Sequence, residues 1–434
     1  MKPGTSACSH FSRERGDPVL CFAQWMATLQ TSAALLVVDF ELEQYWLEKA
    51  PSLALSAIYY WSGAVLKIAV TDRELHSENC SPKEQFKSWI SAHGLPSFDP
   101  RQPIELQPKI IDKPWGQEIW YSGVEQRGVC DFGEISSNTP IPWLQAVLPN
   151  EAAGRAGEAL VLLKVLAPSS KRVQGDLYFE LHEKKREVYV VTHIDRRAWP
   201  DGVGYMRYGF DRRRLGQFPN EAAFRAAYLE SVLNYEKQRR LLDALFEQGG
   251  EASASQITRE EQLREHMEGF THLQPLQEGD VVQVPTGLPH ALQHGVRVVE
   301  FQTPTYERKI LSFGQKVLTQ DHWDTREAVA QMLLLPPAAA PTGLSTREVG
   351  VARDQIVDFP DFEVHRVCIQ PGKSWRPAVQ ASYQLLIVIA GEMALEGLLY
   401  ESERALLLPR HWQGSVAARD AAAPLVFLLA RPRS

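Results

Sequence analysis

The sequence predicts a mainly β protein with two small jelly-roll-like β-barrels, a helical N-terminal region and a helical insertion in the first barrel. Three observations carry this. Short runs dense in β-branched residues, such as EVYVVTHI, FEVHRVCI and APLVFLLA, occur in two separate parts of the chain, and such runs between turn residues read as strands. Around 215–270 the apolar residues instead follow a helical period. A Pro- and Ala-rich stretch, LLLPPAAAPTG, separates the two strand-rich parts.

Taken in chain order, residues 1–105 read as mainly helical. The clearest helix is SPKEQFKSWISAHG. Ser81 caps it, Pro82 suits the first helical position, Glu84 completes a capping box and Gly94 supplies a left-handed stop. Residues 106–334 form the first strand-rich domain. Its insertion begins with NEAAFRAAYLESVLNYEKQRRLLDALFEQGG, where Phe224, Leu229, Leu233, Leu241, Leu242 and Leu245 are spaced for one helix face. A second helix is expected from Thr258, with Glu261 in capping-box position. Residues 335–349 are the linker, and 350–434 the second barrel.

Composition bounds the function. A chain of 434 residues needs about two or three domains. A net charge of −7 disfavours nucleic acid and acidic membrane surfaces as partners. Five scattered cysteines without a CxxC argue against a disulfide framework and fit a cytoplasmic protein. No apolar run approaches the roughly 20 residues of a membrane span. The sequence assigns no oligomeric state.

The chemistry concentrates in two segments. In GDVVQVPTGLPHALQHG, Gly279, Pro285, Gly287 and Pro289 shape turns that deliver His290 to a fixed place. In GDLYFELHEKKREVYVV, Gly175 precedes Glu180, His182 and Glu187. Glu180 and His182 are two apart on a strand and share a face. With Glu183–Arg186 as a four-residue hairpin loop, His182 and Glu187 would stand opposite one another. Two imidazoles and two carboxylates suit one divalent cation, zinc first, with iron or manganese as alternatives. Without a cation the two inward carboxylates would repel.

These two spaced motifs resemble the paired signatures of the cupin superfamily of small β-barrels. Further residues narrow the likeness: Lys113-Pro-Trp-Gly, LVLLKVLAP before the first motif, the helical insertion, and VVEFQ followed by TYERKILSF after His290. Their order resembles type I mannose-6-phosphate isomerase, a zinc-dependent cupin, over about residues 110–320. The resemblance implies zinc bound by Glu180, His182, Glu187 and His290, and an arginine near the reacting carbons at Arg308. Glu300 and Gln302 match the family's Glu-x-Gln. It implies a sugar-phosphate substrate, isomerised through an enediolate. The sequence does not identify the base, for which Glu300 and a metal-bound hydroxide are the candidates. Gln302 is a candidate to touch substrate, Lys113 either touches phosphate or takes a structural role beside Trp115, and Arg308 either stabilises enediolate or phosphate charge or forms a surface ion pair with Glu307. The departures are Glu180 for glutamine, Leu-His-Glu-Lys for Val-His-Pro-Asp, Trp-Gly-Gln for Trp-Gly-Gly, and Thr-Tyr-Glu-Arg for Thr-Tyr-Arg. The first hundred residues have no counterpart in the family. Two other functions remain open from sequence: a non-catalytic metal- and sugar-binding module, and an iron-dependent oxygenase, which the two-carboxylate ligand set disfavours.

Overall fold

The structure, a computed structural model, describes residues 11–29, 32–154, 157–318, 320–338, 343–378 and 381–433. It divides into two compact units, each discontinuous in sequence: Met1–Lys109 with Tyr121–Val161 and Gly343–Ser434, and Ile110–Trp120 with Leu162–Thr342. This replaces the linear division into 1–105, 106–334 and 350–434. Antiparallel sheets accept strands from distant segments, and a short strand carries no mark of the sheet it will join.

In the first unit, the N-terminal region is not mainly helical. It is a four-stranded sheet in the order Phe11–Arg15, Ala34–Leu42, Leu53–Trp61, Leu66–Thr71, with helices Pro18–Thr28 and Pro82–His93. ALLVVDFEL and LALSAIYYW are buried almost throughout. A continuous apolar run has no two-residue alternation to reveal it as a strand. The helix Pro82–His93 carries the expected capping box between Ser81 and Glu84, and Gly94 closes it at φ 62°.

The same unit holds a nine-stranded sheet. Its central strands Gln384–Ala390, Leu425–Pro432 and Phe362–Ile369 come from the C-terminal segment, and Ile104–Gln107 and Asp131–Glu134 extend it at one side. Val367, Leu386 and Phe427 share a core with Met393, Leu395 and Val416 of a four-stranded sheet. Part of the expected linker, Ser345–Glu348, is an exposed edge strand on Val351–Asp358. Residues 339–342 of that linker lie outside the described residues.

The second unit is a two-sheet sandwich with a helical layer. A six-stranded sheet runs Val281–Val284, Glu187–Ile194, Val296–Gln302, Leu162–Pro168, Gly116–Trp120, Lys109–Lys113. A five-stranded sheet runs Thr271–Leu276, Gly204–Phe210, His290–Leu292, Phe179–Leu181, Lys309–Ser312. Tyr189, Val191 and Val298 of the first pack with Met206, Leu292 and Ile310 of the second in one core. The other face of the five-stranded sheet, with Phe179, Leu181 and Phe210, packs on Phe224, Tyr228 and Tyr235 of the long helix Glu221–Glu247 and on Met267 of Ala254–Glu268. Leu241, expected inward, is exposed. The second insertion helix starts four residues before Thr258 because Ser253 and Gln256 form its capping box. The sheets remain open: among the described residues neither closes into the expected barrel. No helix among them is long and apolar enough to cross a membrane.

Gly175, the motif glycine, has a steric reason to be glycine. A Cβ there would overlap the carbonyl oxygen of Ser169 and stand 2.8 Å from the Cβ of His294. Gly175→Ala is expected to destabilise the protein by about 3 kcal/mol, because backbone must move to admit one methyl group. A denaturant melt indistinguishable from wild type would refute that.

Candidate metal centre

Each sheet aims polar side chains into the apolar core between them. Alternation fixes which ones. On the five-stranded sheet, Phe179, Leu181 and Ala291 face the helices, so Glu180, His182 and His290 face inward. On the six-stranded sheet, Tyr189 and Val191 point into the shared core, and Glu187 lies on the same face. Cross-strand registers Trp120–Lys164, Lys164–Glu300 and Glu300–Tyr189 make one row, and Glu187 with Gln302 belongs to the next.

The expected hairpin between His182 and Glu187 does not form. Glu180 pairs with His290 in one sheet, while Glu187 pairs with Val284 and Gln302 in the other. The segment between them crosses the gap between sheets, and the side chains meet because the two inner faces oppose each other. His290 likewise lies where the chain leaves the six-stranded sheet after Val281–Val284, crosses to the five-stranded sheet as His290–Leu292 and returns at Val296–Gln302. Gly287, at φ 79°, gives the left-handed turn before it, and its N–H donates to the His182 carbonyl at 2.6 Å.

Ligand atoms of His182, Glu187 and His290 all lie within 4.8 Å of one another, and the three residues are buried. His182 Nε2 is 3.3 Å from Glu187 Oε1, and His290 Nε2 is 3.1 Å from Glu187 Oε2. Each imidazole is oriented through its other nitrogen. Nδ1 of His182 faces the Glu307 carbonyl at 2.9 Å, and Nδ1 of His290 faces the Leu288 carbonyl at 3.0 Å. A carbonyl only accepts, so each Nδ1 carries the proton and donates. In the neutral rings, both Nε2 lone pairs then point at a carboxylate, with His182 Nε2 buried and lacking any hydrogen-bond partner. Two lone pairs and a carboxylate oxygen pair facing one another require a cation or an added proton between them. The donor set, two imidazoles and a carboxylate with carbonyl-fixed tautomers, fits a divalent metal.

The electrostatics are those of a buried, charge-dense site. Burial opposes ionisation of Glu187, but Lys185 and the two histidines outweigh it and hold the carboxyl well below its ordinary range. Burial and Lys185 lower the pKa of His182. For His290 burial works downward, and the Glu187 contact overcomes it, raising the pKa. Burial lifts Glu300 to about 8; Lys164 opposes the rise and Glu187 adds to it.

The other residues expected from sequence fall around this triad. Glu180 Oε1 stands 3.8 Å from His182 Nε2, at the margin of the cluster, and its buried Oε2 is 3.9 Å from Arg308 Nε. The Arg308 guanidinium lies 4.6 Å over the Tyr178 ring. Glu300 Oε2 is 3.8 Å from Lys164 Nζ, which donates to Gln302 Oε1 at 2.8 Å. Lys113 ion-pairs with Glu118 at 3.2 Å and is nearly buried. Glu307 accepts from the backbone N–H groups of Lys184 and Lys185.

Four residues near the site were not found from sequence. Lys185 donates to Glu187 Oε1 at 2.8 Å, and the Tyr189 hydroxyl donates to Glu187 Oε2 at 2.6 Å. Lys164 and Glu118 complete the polar wall. Lys164 had a signal, a lone lysine inside the apolar run LVLLKVLAP. Lys185 had none, since Glu183–Arg186 reads as a solvated charged loop.

The class is thus a β-sandwich with a buried His–Glu–His cluster able to hold a metal ion between its sheets and helices on one outer face. Solved structures make the likeness more particular: the chain shares the fold of mannose 6-phosphate isomerases. The Bacillus subtilis enzyme superposes with a TM-score of 0.55 at 14% identity, covering 76% of this chain and 99% of that one. The apo Salmonella typhimurium enzyme gives 0.53 at 13%, covering 76% and 99%. A mannose 6-phosphate isomerase bound with zinc and yttrium gives 0.52 at 13%, covering 75% and 98%. No protein-family model matches the chain, and no curated protein sequence does.

Proposed function

We propose that the protein is a divalent-metal-dependent aldose–ketose isomerase acting on a sugar phosphate, interconverting mannose 6-phosphate and fructose 6-phosphate. One observation carries the reading: His182, Glu187 and His290 present two imidazole lone pairs and a buried carboxylate to a common point. The shared fold supports it. Zinc held by these three residues with Glu180 beside them, or iron or manganese in its place, would supply Lewis-acid stabilisation of negative charge beside the substrate carbonyl.

The chain's own residues do the remainder. Glu300, raised to about 8 by burial and by Glu187, is poised near neutral pH to accept a proton at a carboxylate oxygen and to release it to the adjacent carbon. Lys164, at 3.8 Å, steadies the carboxylate form. Arg308, stacked on Tyr178, offers a fixed guanidinium to phosphate or to developing oxyanion charge. Gln302 orients Lys164. Lys113 acts through Glu118.

The purified protein is expected to interconvert hexose 6-phosphates, to lose activity with a chelator, and to regain it with zinc. A zinc-loaded protein inert on a hexose phosphate panel refutes the isomerase. Ligand-dependent thermal stabilisation without turnover would show a binding module instead.

A further inference from the structure

We infer that Lys185 is a tethered cation that competes with the divalent ion for Glu187 and keeps the site charge-satisfied and folded when no ion is bound. This rests on the reading of His182, Glu187 and His290 as a metal centre.

The geometry is specific. Lys185 Nζ lies 2.8 Å from Glu187 Oε1, the same oxygen that stands 3.3 Å from His182 Nε2. The ammonium therefore holds a lone pair of the oxygen that faces the imidazole. Its neighbours on the loop, Glu183 and Lys184, are exposed, whereas Lys185 is only 8% exposed. Burying a lysine is costly unless it is paired, so its inward turn needs a cause. The loop backbone supplies one: the N–H groups of Lys184 and Lys185 both donate to Glu307 Oε1, Arg186 N–H donates to Thr303 Oγ1, and Thr303 N–H donates back to the Arg186 carbonyl. These bonds fix the stem of Lys185 over the carboxylate.

The ammonium satisfies Glu187 and leaves His182 Nε2 without a hydrogen-bond partner. Its three N–H donors are aimed at the carboxylate, and none reaches the imidazole nitrogen in this geometry. A divalent ion can contact carboxylate and both imidazoles together. Two like charges sharing one carboxylate oxygen repel strongly in a buried site, so ion entry requires the ammonium to withdraw. The chain thus carries a weak occupant of its own site, displaced by a better one.

The test uses the full chain with Lys185→Met, which keeps the stem and removes the charge, and Lys185→Arg, which keeps the charge. Zinc is titrated against a competing chromophoric chelator, and thermal melts are recorded with chelator and with zinc. Lys185→Met is expected to bind zinc on the order of tenfold more tightly or better, while Lys185→Arg stays near wild type. Chelator should lower the melting temperature of Lys185→Met far more than that of wild type, and zinc should restore it. Equal zinc affinity in wild type and Lys185→Met, or weaker affinity in the variant, overturns the inference and leaves the metal centre standing. Failure of Lys185→Met to fold even with zinc also overturns it, because the ion was to take the ammonium's place. Absence of zinc binding in wild type and both variants removes the metal centre itself.

Discussion

The His290→Ala protein is expected to lose bound metal and turnover together. His290 supplies one of two imidazole nitrogens to the cluster, and its ring is fixed by the Leu288 carbonyl at 3.0 Å. Among the described residues no third histidine and no cysteine joins the group, so no imidazole or thiolate takes its place. Removing a ligand should weaken zinc affinity by on the order of 100-fold or more, since loss of even an outer partner costs 10–100-fold. Isomerase activity should fall in proportion to occupancy at limiting zinc. His182→Ala should behave alike. Glu180→Gln should not, because Glu180 lies at the margin of the cluster and pairs with Arg308. It tests whether the second carboxylate binds metal or only balances the guanidinium. The measurement is metal content of protein purified without added metal, set beside circular dichroism to show the fold intact. Stoichiometric metal retained in a folded His290→Ala protein would refute the centre.

What the sequence revealed of this site follows from the range of each signal. His182, Glu187 and His290 were legible because glycines and prolines at fixed spacing mark backbone geometry directly: Gly287 needs its positive φ, and Gly175 has no room for a methyl group. The partners of those residues were not legible. Glu187 and His182 looked like neighbours across a hairpin, yet they meet across two sheets, and spacing along the chain cannot tell these cases apart. Lys185 reads as a surface residue until Glu307, 122 positions away, is seen to pin its loop. The N-terminal sheet was missed because its strands Ala34–Leu42 and Leu53–Trp61 are buried almost throughout and show no alternation. The helix Pro82–His93 was found because its stop and start signals are local.

Glu118→Gln is expected to be the most damaging single change in the polar wall, and its cost should depend on pH. Glu118 is 13% exposed and ion-pairs with Lys113 at 3.2 Å, while the Trp120 indole N–H donates to it at 2.6 Å. Burial favours the neutral acid, but Lys164 and Lys113, with that indole, overcome burial and lower the pKa to about 2. The unfolded chain has the ordinary carboxylate value near 4.5. Between these values the unfolded state binds the extra proton, so stability rises with pH across the window. The contribution is fully present above about 4.5 and is lost as pH falls through about 2. A depression of this size corresponds to about 3 kcal/mol at neutral pH. The amide removes it, takes the ion-pair partner from the nearly buried Lys113 and removes a nearby negative charge from Lys164, which keeps Glu300 at 3.8 Å. Urea melts of wild type and variant should therefore differ by about 3 kcal/mol at pH 7 and converge as pH approaches 2. A difference that stays constant between pH 7 and pH 3 would mean that Glu118 acts through packing alone, and that Lys113 and Lys164 do not need its charge.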